Sequence, residues 1–267
     1  MDMEGRPIST EISQRMLNFL TSLGWSIDCL KGNLLTSLVD AEGNKIFYEL
    51  GRHNIELATK ASTVDQILPL TQSCLNQLYE AAQTVGAVPY FNPVLPSDED
   101  LLVIPDERDS VWLQLDGREA LAPLARISAV QFTFSVSPQD AINVLNKFGH
   151  QINSFLTDFP QDAVWKQYIT NSQANYQQNR YGGPLTFESM DEYCQALACH
   201  GVVRGTGLVP LENLNELDIP LHLRSIWWHF RLKRYGNSLC IEIRPIARKT
   251  DSKLETQLEK VLAIVSS

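Results

Sequence analysis

The sequence lacks any run of apolar residues approaching the roughly 18 that a membrane-spanning helix needs, and it carries no C-x-x-C pair and no excess of positive charge. Its opening, Met1-Asp2-Met3-Glu4-Gly5-Arg6-Pro7, has no apolar stretch behind a basic segment, so nothing there reads as a secretory leader. With 22 Lys+Arg against 31 Asp+Glu the formal net charge is −9. A phosphate backbone needs a basic face, and the cluster Asp98-Glu99-Asp100 would repel one, so nucleic acid is not an expected partner. The five cysteines, Cys29, Cys74, Cys194, Cys199 and Cys240, are odd in number and widely spaced, which reads as buried free thiols rather than a disulfide or zinc set. Internal repeats and low-complexity tracts are missing too. These absences point to a cytoplasmic protein with no membrane partner.

What remains is ordinary globular material: 267 residues, 44% hydrophobic and 20% charged. A chain of this size buries about three quarters of its unfolded surface, so one domain over residues 1–267 holds together without metal or disulfide. Ile12, Met16, Leu20 and Leu23 recur at helical spacing between Ser9 or Thr10 as cap and Gly24 as stop. Trp25 to Leu30, Leu34 to Val39 and Lys45 to Leu50 are short strand-like runs divided by Gly- and Asn-containing turns, an antiparallel meander, with a fourth run at Asn54 to Ala58. Val64, Ile67, Leu68, Cys74, Leu75 and Leu78 stripe a long helix in which Pro69 either marks the start or makes a kink. Pro93 to Asp109 reads as an acidic, proline-rich loop and Asn171 to Gly183 as a polar surface loop. A strand at Ile127 to Val136, a helix begun by Ser137-Pro138-Gln139-Asp140, a helix at Met190 to Leu197, strands at Ser225 to Tyr235 and Ser238 to Ile246, and a terminal helix capped by Asp251 or Ser252 complete an α+β pattern.

Strand parity then separates a polar face from an apolar one. Leu239, Ile241 and Ile243 oppose Cys240, Glu242 and Arg244; Trp228, Phe230 and Leu232 oppose Trp227, His229, Arg231 and Lys233. Val130, Phe132 and Phe134 are backed by Gln131, Thr133 and Ser135, and Ile46, Tyr48 and Leu50 by Phe47 and Glu49. Antiparallel sheets with one covered and one wet face alternate in this way. A plain solvated surface accounts for the pattern about as well as a site does. Glutamate and arginine in strand interiors, with Trp227 and Phe47 among them, favour a walled cleft. There Glu49, Glu56 and Glu242 offer oxygens to a hard divalent cation such as Mg²⁺, and Arg231 and Arg244 offer positive charge to phosphate. An ion pair of Glu242 with Arg231 would leave the same trace in the sequence.

Specific strings go further. Tyr48-Glu49-Leu50-Gly51-Arg52-His53-Asn54-Ile55-Glu56-Leu57-Ala58-Thr59 resembles a segment of the glutamate-cysteine ligase and carboxylate-amine ligase family. Trp227-Trp228-His229-Phe230-Arg231 followed by Glu242-Ile243-Arg244-Pro245 is similar to that family's W-x-x-x-R and E-x-R elements, with Val130-Gln131-Phe132-Thr133 and Gly183-Pro184-x-x-Phe187 between them in family order. The resemblance implies a glutamine-synthetase-like fold, a curved antiparallel sheet forming a funnel with helices packed on its outer face. It implies that ATP phosphorylates the side-chain carboxylate of glutamate and that an amine such as cysteine attacks the acyl phosphate, a step of glutathione biosynthesis. Glu49, Glu56 and Glu242 then hold Mg²⁺, Arg231 and Arg244 are catalytic, and Gln131, Thr133, Arg180 and Trp227 meet nucleotide or substrate.

The departures from the family are specific. The family's opening strand with its glutamates is not seen before Pro7, Lys60-Ala61 stands where a proline usually follows E-L-x-T, and Ala247 lies where an acid is common. These allow an alternative: a non-catalytic relative that binds nucleotide or amino acid, or serves as an interaction subunit. The histidines His53, His150, His200, His222 and His229 show no metal-binding spacing, and packing is the weightier reading for each.

Overall fold

A computed structural model of the chain describes residues 1–103, 107–213, 215 and 219–267. Pro105, one of the prolines of the acidic segment, lies outside the described residues. In chain order the elements are α1 (Thr10–Ser22), β1 (Ser26–Lys31), β2 (Leu34–Val39), β3 (Lys45–Tyr48), β4 (Ile55–Ala58), α2 (Val64–Thr84), α3 (Glu107–Asp116), α4 (Arg118–Leu121) and β5 (Ala129–Ser135). There follow α5 (Ala141–His150), α6 (Ile152–Leu156), α7 (Gln161–Asn171), β6 (Tyr181–Gly182), α8 (Met190–Ala198), β7 (Val202–Arg204), β8 (Gly207–Val209), α9 (Ile219–Arg224), β9 (Trp227–Trp228), β10 (Phe230–Tyr235), β11 (Ser238–Ala247) and α10 (Leu254–Ser266). None of the described helices is long and apolar enough to cross a membrane.

Two antiparallel sheets organise this α+β chain. The meander β1-β2-β3-β4 is covered by α1 and α2, whose Met16, Leu17, Leu20, Cys74, Ala81 and Ala82 close on Leu35, Leu38, Ile46 and Tyr48. The second sheet has the order β10-β11-β5 and buries Phe230, Ile241 and Ile243 against Leu145, Phe148, Phe155, Tyr193 and Val261 from α5, α6, α8 and α10. Helix α1 begins where Ser9 Oγ accepts from the Ile12 amide at 3.3 Å, as the capping pattern predicts. Helix α2 runs through Pro69, so the proline lies inside the helix rather than at its start.

Several segments differ from the sequence expectation. Asn171 to Gly183 keeps its Gln and Asn side chains exposed, as expected of a polar surface loop, but Ser172, Tyr176, Arg180 and Tyr181 between them are buried. Ser172 Oγ and, from α7, Tyr168 OH donate to the buried carboxylate of Asp116 at 2.5 and 2.8 Å. Asp251 does not cap the terminal helix, because its carboxylate accepts from Tyr79 and Arg248 instead. Of the five cysteines, all free, only Cys74 and Cys240 are buried, while Cys29, Cys194 and Cys199 are exposed.

The sheets meet where β4 and β5 begin. Asn54 Nδ2 donates to the Ile127 carbonyl at 2.8 Å, and a Cβ on Gly51 would stand 2.3 Å from the carbonyl oxygen of Ala125. Only glycine admits that approach. Gly51→Ala should therefore lower the urea stability by about 1–3 kcal/mol, the usual cost of overpacking. The control Gly207→Ala, where a Cβ meets nothing within 4 Å, should change it by less than about 0.5 kcal/mol. Equal effects from the two changes would show that the contact between the sheets does not constrain the chain.

Candidate functional site

Register places the polar side chains of the second sheet in rows. Ser135 and Lys233 flank Cys240, and Thr133 and Arg231 flank Glu242. Pairing then skips from Ile243 opposite Phe132 to Ile246 opposite Val130, so Arg244 and Pro245 together face Gln131. Pro245 has no amide to offer a ladder, and a bulge is where an antiparallel pair tolerates it. Gln131 and Thr133 are exposed on this face, as parity predicts.

At its centre lies Glu242, 3% exposed. Its carboxylate accepts from Arg231 Nε, from Lys233 Nζ at 3.0 Å and from Arg244 Nη1 at 3.2 Å. Burial opposes its ionisation, but Arg244, Arg231 and Lys233 together outweigh burial and hold the carboxyl well below the usual range. The glutamate expected to bind metal thus has both oxygens engaged by cations, and three positive side chains share one negative one. Arg231 is further fixed by donating Nη1 to the Leu223 and Ile226 carbonyls. For Arg244, the bond to Glu242 is the one hydrogen bond its side chain makes among the described residues, and its guanidinium also acts electrostatically on Glu49.

Glu49 and Glu56 come from the other sheet. Glu56 of β4 sits opposite Phe47, and Glu49 follows β3 two residues beyond Phe47, with its amide donating to the Asn54 carbonyl at 3.0 Å. Glu56 lies close enough for its charge and its hydrogen-bonding group to act on the Glu49 carboxyl. Glu49 keeps some exposed surface, yet protein surrounds its carboxyl densely. That burial, then the charge and hydrogen bond of Glu56, push it well above the ordinary carboxylate range, against the pull of Arg244 and Arg224. A carboxylate pair that cannot ionise fully by itself is chemistry suited to a divalent cation, and Mg²⁺ commonly takes one or two carboxylates with the rest from phosphate and water. Among the described residues no group of three or more His, Cys, Asp or Glu side chains converges as a complete metal cage.

Arg180 and Trp227 lie apart from these groups. Arg180 is 1% exposed and donates to the Ser225 carbonyl at 2.7 Å, to Ser225 Oγ at 2.5 Å and to the Gly201 carbonyl at 3.0 Å. Its guanidinium stacks 4.7 Å from the Tyr176 ring centre. Trp227 is enclosed by Trp112, Trp165, Tyr168 and Tyr176, with ring centres 5.3–5.8 Å away. Trp227 packs against a third apolar core, which contains Trp112, Leu115, Leu121, Tyr168 and Tyr176, while Arg180 ties the chain before β6 to the segments that follow α8 and α9. The sequence reading passed over Arg224 and Asp162. Asp162 Oδ1 lies 3.7 Å from His229 Nε2 and accepts from Tyr181 OH at 3.1 Å. His229 is 5% exposed, and burial lowers its pKa to about 4 despite Asp162, so it is a neutral, packed imidazole at pH 7.

Neither a family model nor a curated protein matches this chain.

The two glutamates should respond oppositely to neutralisation. Glu49 has a raised folded pKa, so it costs stability once pH exceeds the unfolded carboxyl value, near 4.3. Glu49→Gln should raise the urea midpoint at pH 7, with the gain vanishing below about pH 4. Glu242 has a depressed pKa; its contribution is present above the unfolded value and lost as pH falls toward the folded one. Glu242→Gln strips the partner from three cations and should cost about 3 kcal/mol at pH 7. Shifts of the same sign for both variants at pH 7 would contradict this assignment.

Proposed function

We propose that the protein is an ATP-dependent carboxylate-amine ligase of the glutamate-cysteine ligase type, built on a glutamine-synthetase-like sheet and using Mg²⁺. One observation carries the reading: Glu49, with Glu56 beside it, lies under the pull of Arg244 and Arg224, and Arg244 belongs to a cluster in which three cations share the single carboxylate of Glu242. An enzyme that binds a metal nucleotide and passes its terminal phosphoryl group to a carboxylate uses both halves.

Glu49 and Glu56 would hold Mg²⁺ once Glu49 has lost its proton, and the ion would offset charge between the phosphate oxygens and the acceptor carboxylate. Arg244 is the cation best placed to meet charge developing on the transferred group, since a single hydrogen bond restrains it. Glu242 sets the direction of Arg244 and Arg231 rather than binding metal. Thr133 and Gln131, exposed beside them, supply hydroxyl and amide groups to orient glutamate or the amine. Ammonium-to-amine deprotonation falls to solvent in this scheme, because His229 is buried.

Purified protein given ATP, Mg²⁺, glutamate and a panel of amines that includes cysteine should release phosphate only when both co-substrates are present. Arg244→Ala should lower kcat by about 100-fold or more. Glu49→Gln should abolish turnover while stabilising the fold, a combination that general damage to the protein does not produce. Mg²⁺ should bind more tightly as pH rises above the ordinary carboxylate range, because the raised Glu49 proton must leave. Folded protein without phosphate release on any amine overturns the ligase reading.

A second reading, binding without turnover, draws on the ion pairs that engage Glu242 and so remove one expected metal ligand. Calorimetric titration with Mg²⁺ and ATP discriminates: binding in a protein that never turns over supports it.

A further inference from the structure

Away from this site, the first half of α2 and the length of α10 line a surface groove of about 600 Å³. Its walls are two helical stripes at i, i+4 and i+8: Val64, Leu68 and Gln72 from α2, and Leu254, Leu258 and Leu262 from α10. Both helices have already met their folding needs elsewhere. Val261, Ile264 and Val265 of α10 turn into the core of the second sheet, and Cys74, Leu78, Ala81 and Ala82 of α2 pack against α1 and the meander. Val64 and Leu68 belong to neither core, and Val64 is 56% exposed. Leu258, buried, forms the floor of the groove, Leu68, Leu254 and Leu262 are half-buried on its walls, and Val64 is exposed at its mouth, so a helix laid in it meets apolar side chains along its length.

Charge selects the partner. Asp65, Glu255 and Glu259 rim the groove, all exposed and in no salt bridge among the described residues. No lysine or arginine is among the lining residues. Asp251, also on the rim, is the one acid already neutralised, by Arg248. A second copy docking here across a two-fold axis would set these acids against themselves, and an anionic membrane would be repelled as well.

We propose that the groove receives a basic amphipathic helix of a partner protein, its apolar stripe lying between Leu68 and Leu258 and its Lys or Arg side chains reaching Asp65, Glu255 and Glu259. The probe is a fluorescein-labelled peptide of leucine and lysine ordered to form an amphipathic helix of about four turns. A peptide of the same composition in scrambled order is the comparison. By anisotropy the ordered peptide should bind at least about tenfold more tightly than the scrambled one. Glu255→Lys combined with Glu259→Lys should weaken it by about tenfold or more, and so should Val64→Asp. Val64 is exposed at the first turn of α2, where an acid suits the helix dipole, so that variant should keep its melting temperature. Equal affinity for both peptides, or binding unchanged by both variants, overturns the proposal. Sedimentation showing a dimer that Val64→Asp dissolves also overturns it, in favour of a second copy.

Discussion

The ion cluster around Glu242 is the constraint on which the polar face depends. A buried carboxylate in the middle of β11 is tenable because three cations reach it, and each reaches it from a defined register position: Arg231 and Lys233 from β10, Arg244 from two residues along its own strand. A slip of either strand by one residue would turn Glu242 toward Ile241's side and bury the charge in hydrocarbon. The cluster therefore specifies strand pairing as well as charge. Arg231 extends the effect to the chain after α9 through the Leu223 and Ile226 carbonyls.

Glu49 is the counterpart. It is the same residue type as Glu242 and is also closely surrounded, but burial with a second carboxyl beside it raises its pKa, where three cations outweigh burial and lower that of Glu242. Environments that drive identical groups apart are a recurrent mark of sites that handle charge. In this chain the separation comes from using both sheets, one presenting acids and the other presenting bases.

Parity made much of this legible in the sequence. A period of two is a geometric property of strands, so the common face of Gln131, Thr133, Arg231, Glu242 and Arg244 could be read without coordinates of any kind, and so could the meander that carries Glu49 and Glu56. Distance between non-neighbouring segments could not. Arg180 looked like a loop cation because its neighbours are Gln and Asn, yet those neighbours stay exposed while Arg180 itself turns inward to the Ser225 and Gly201 carbonyls. Trp227 alternates correctly with Trp228, but the irregularity at His229 between β9 and β10 hands it to a different core. Helix α7 left a usable signal, Val164, Trp165, Tyr168 and Ile169 at i, i+1, i+4 and i+5, hidden among glutamine and lysine. The engagement of Glu242 by three cations rather than one was beyond sequence, since it depends on which rotamers the packed sheet allows.

The join at Asn54 and Gly51 carries a mechanical consequence. Each sheet has its own hydrophobic core, and the described contact between β4 and β5 is confined to their beginnings, so the layers are pinned at one end and share no ladder along their length. A pin of that kind converts a small rotation at the seam into a larger displacement farther along the strands, and it sets the approach of Arg244 to Glu49 close beside the join. Whatever satisfies the charges on both layers at once then acts as a tie between them, and its grip would be felt as stiffness across the whole width of the molecule.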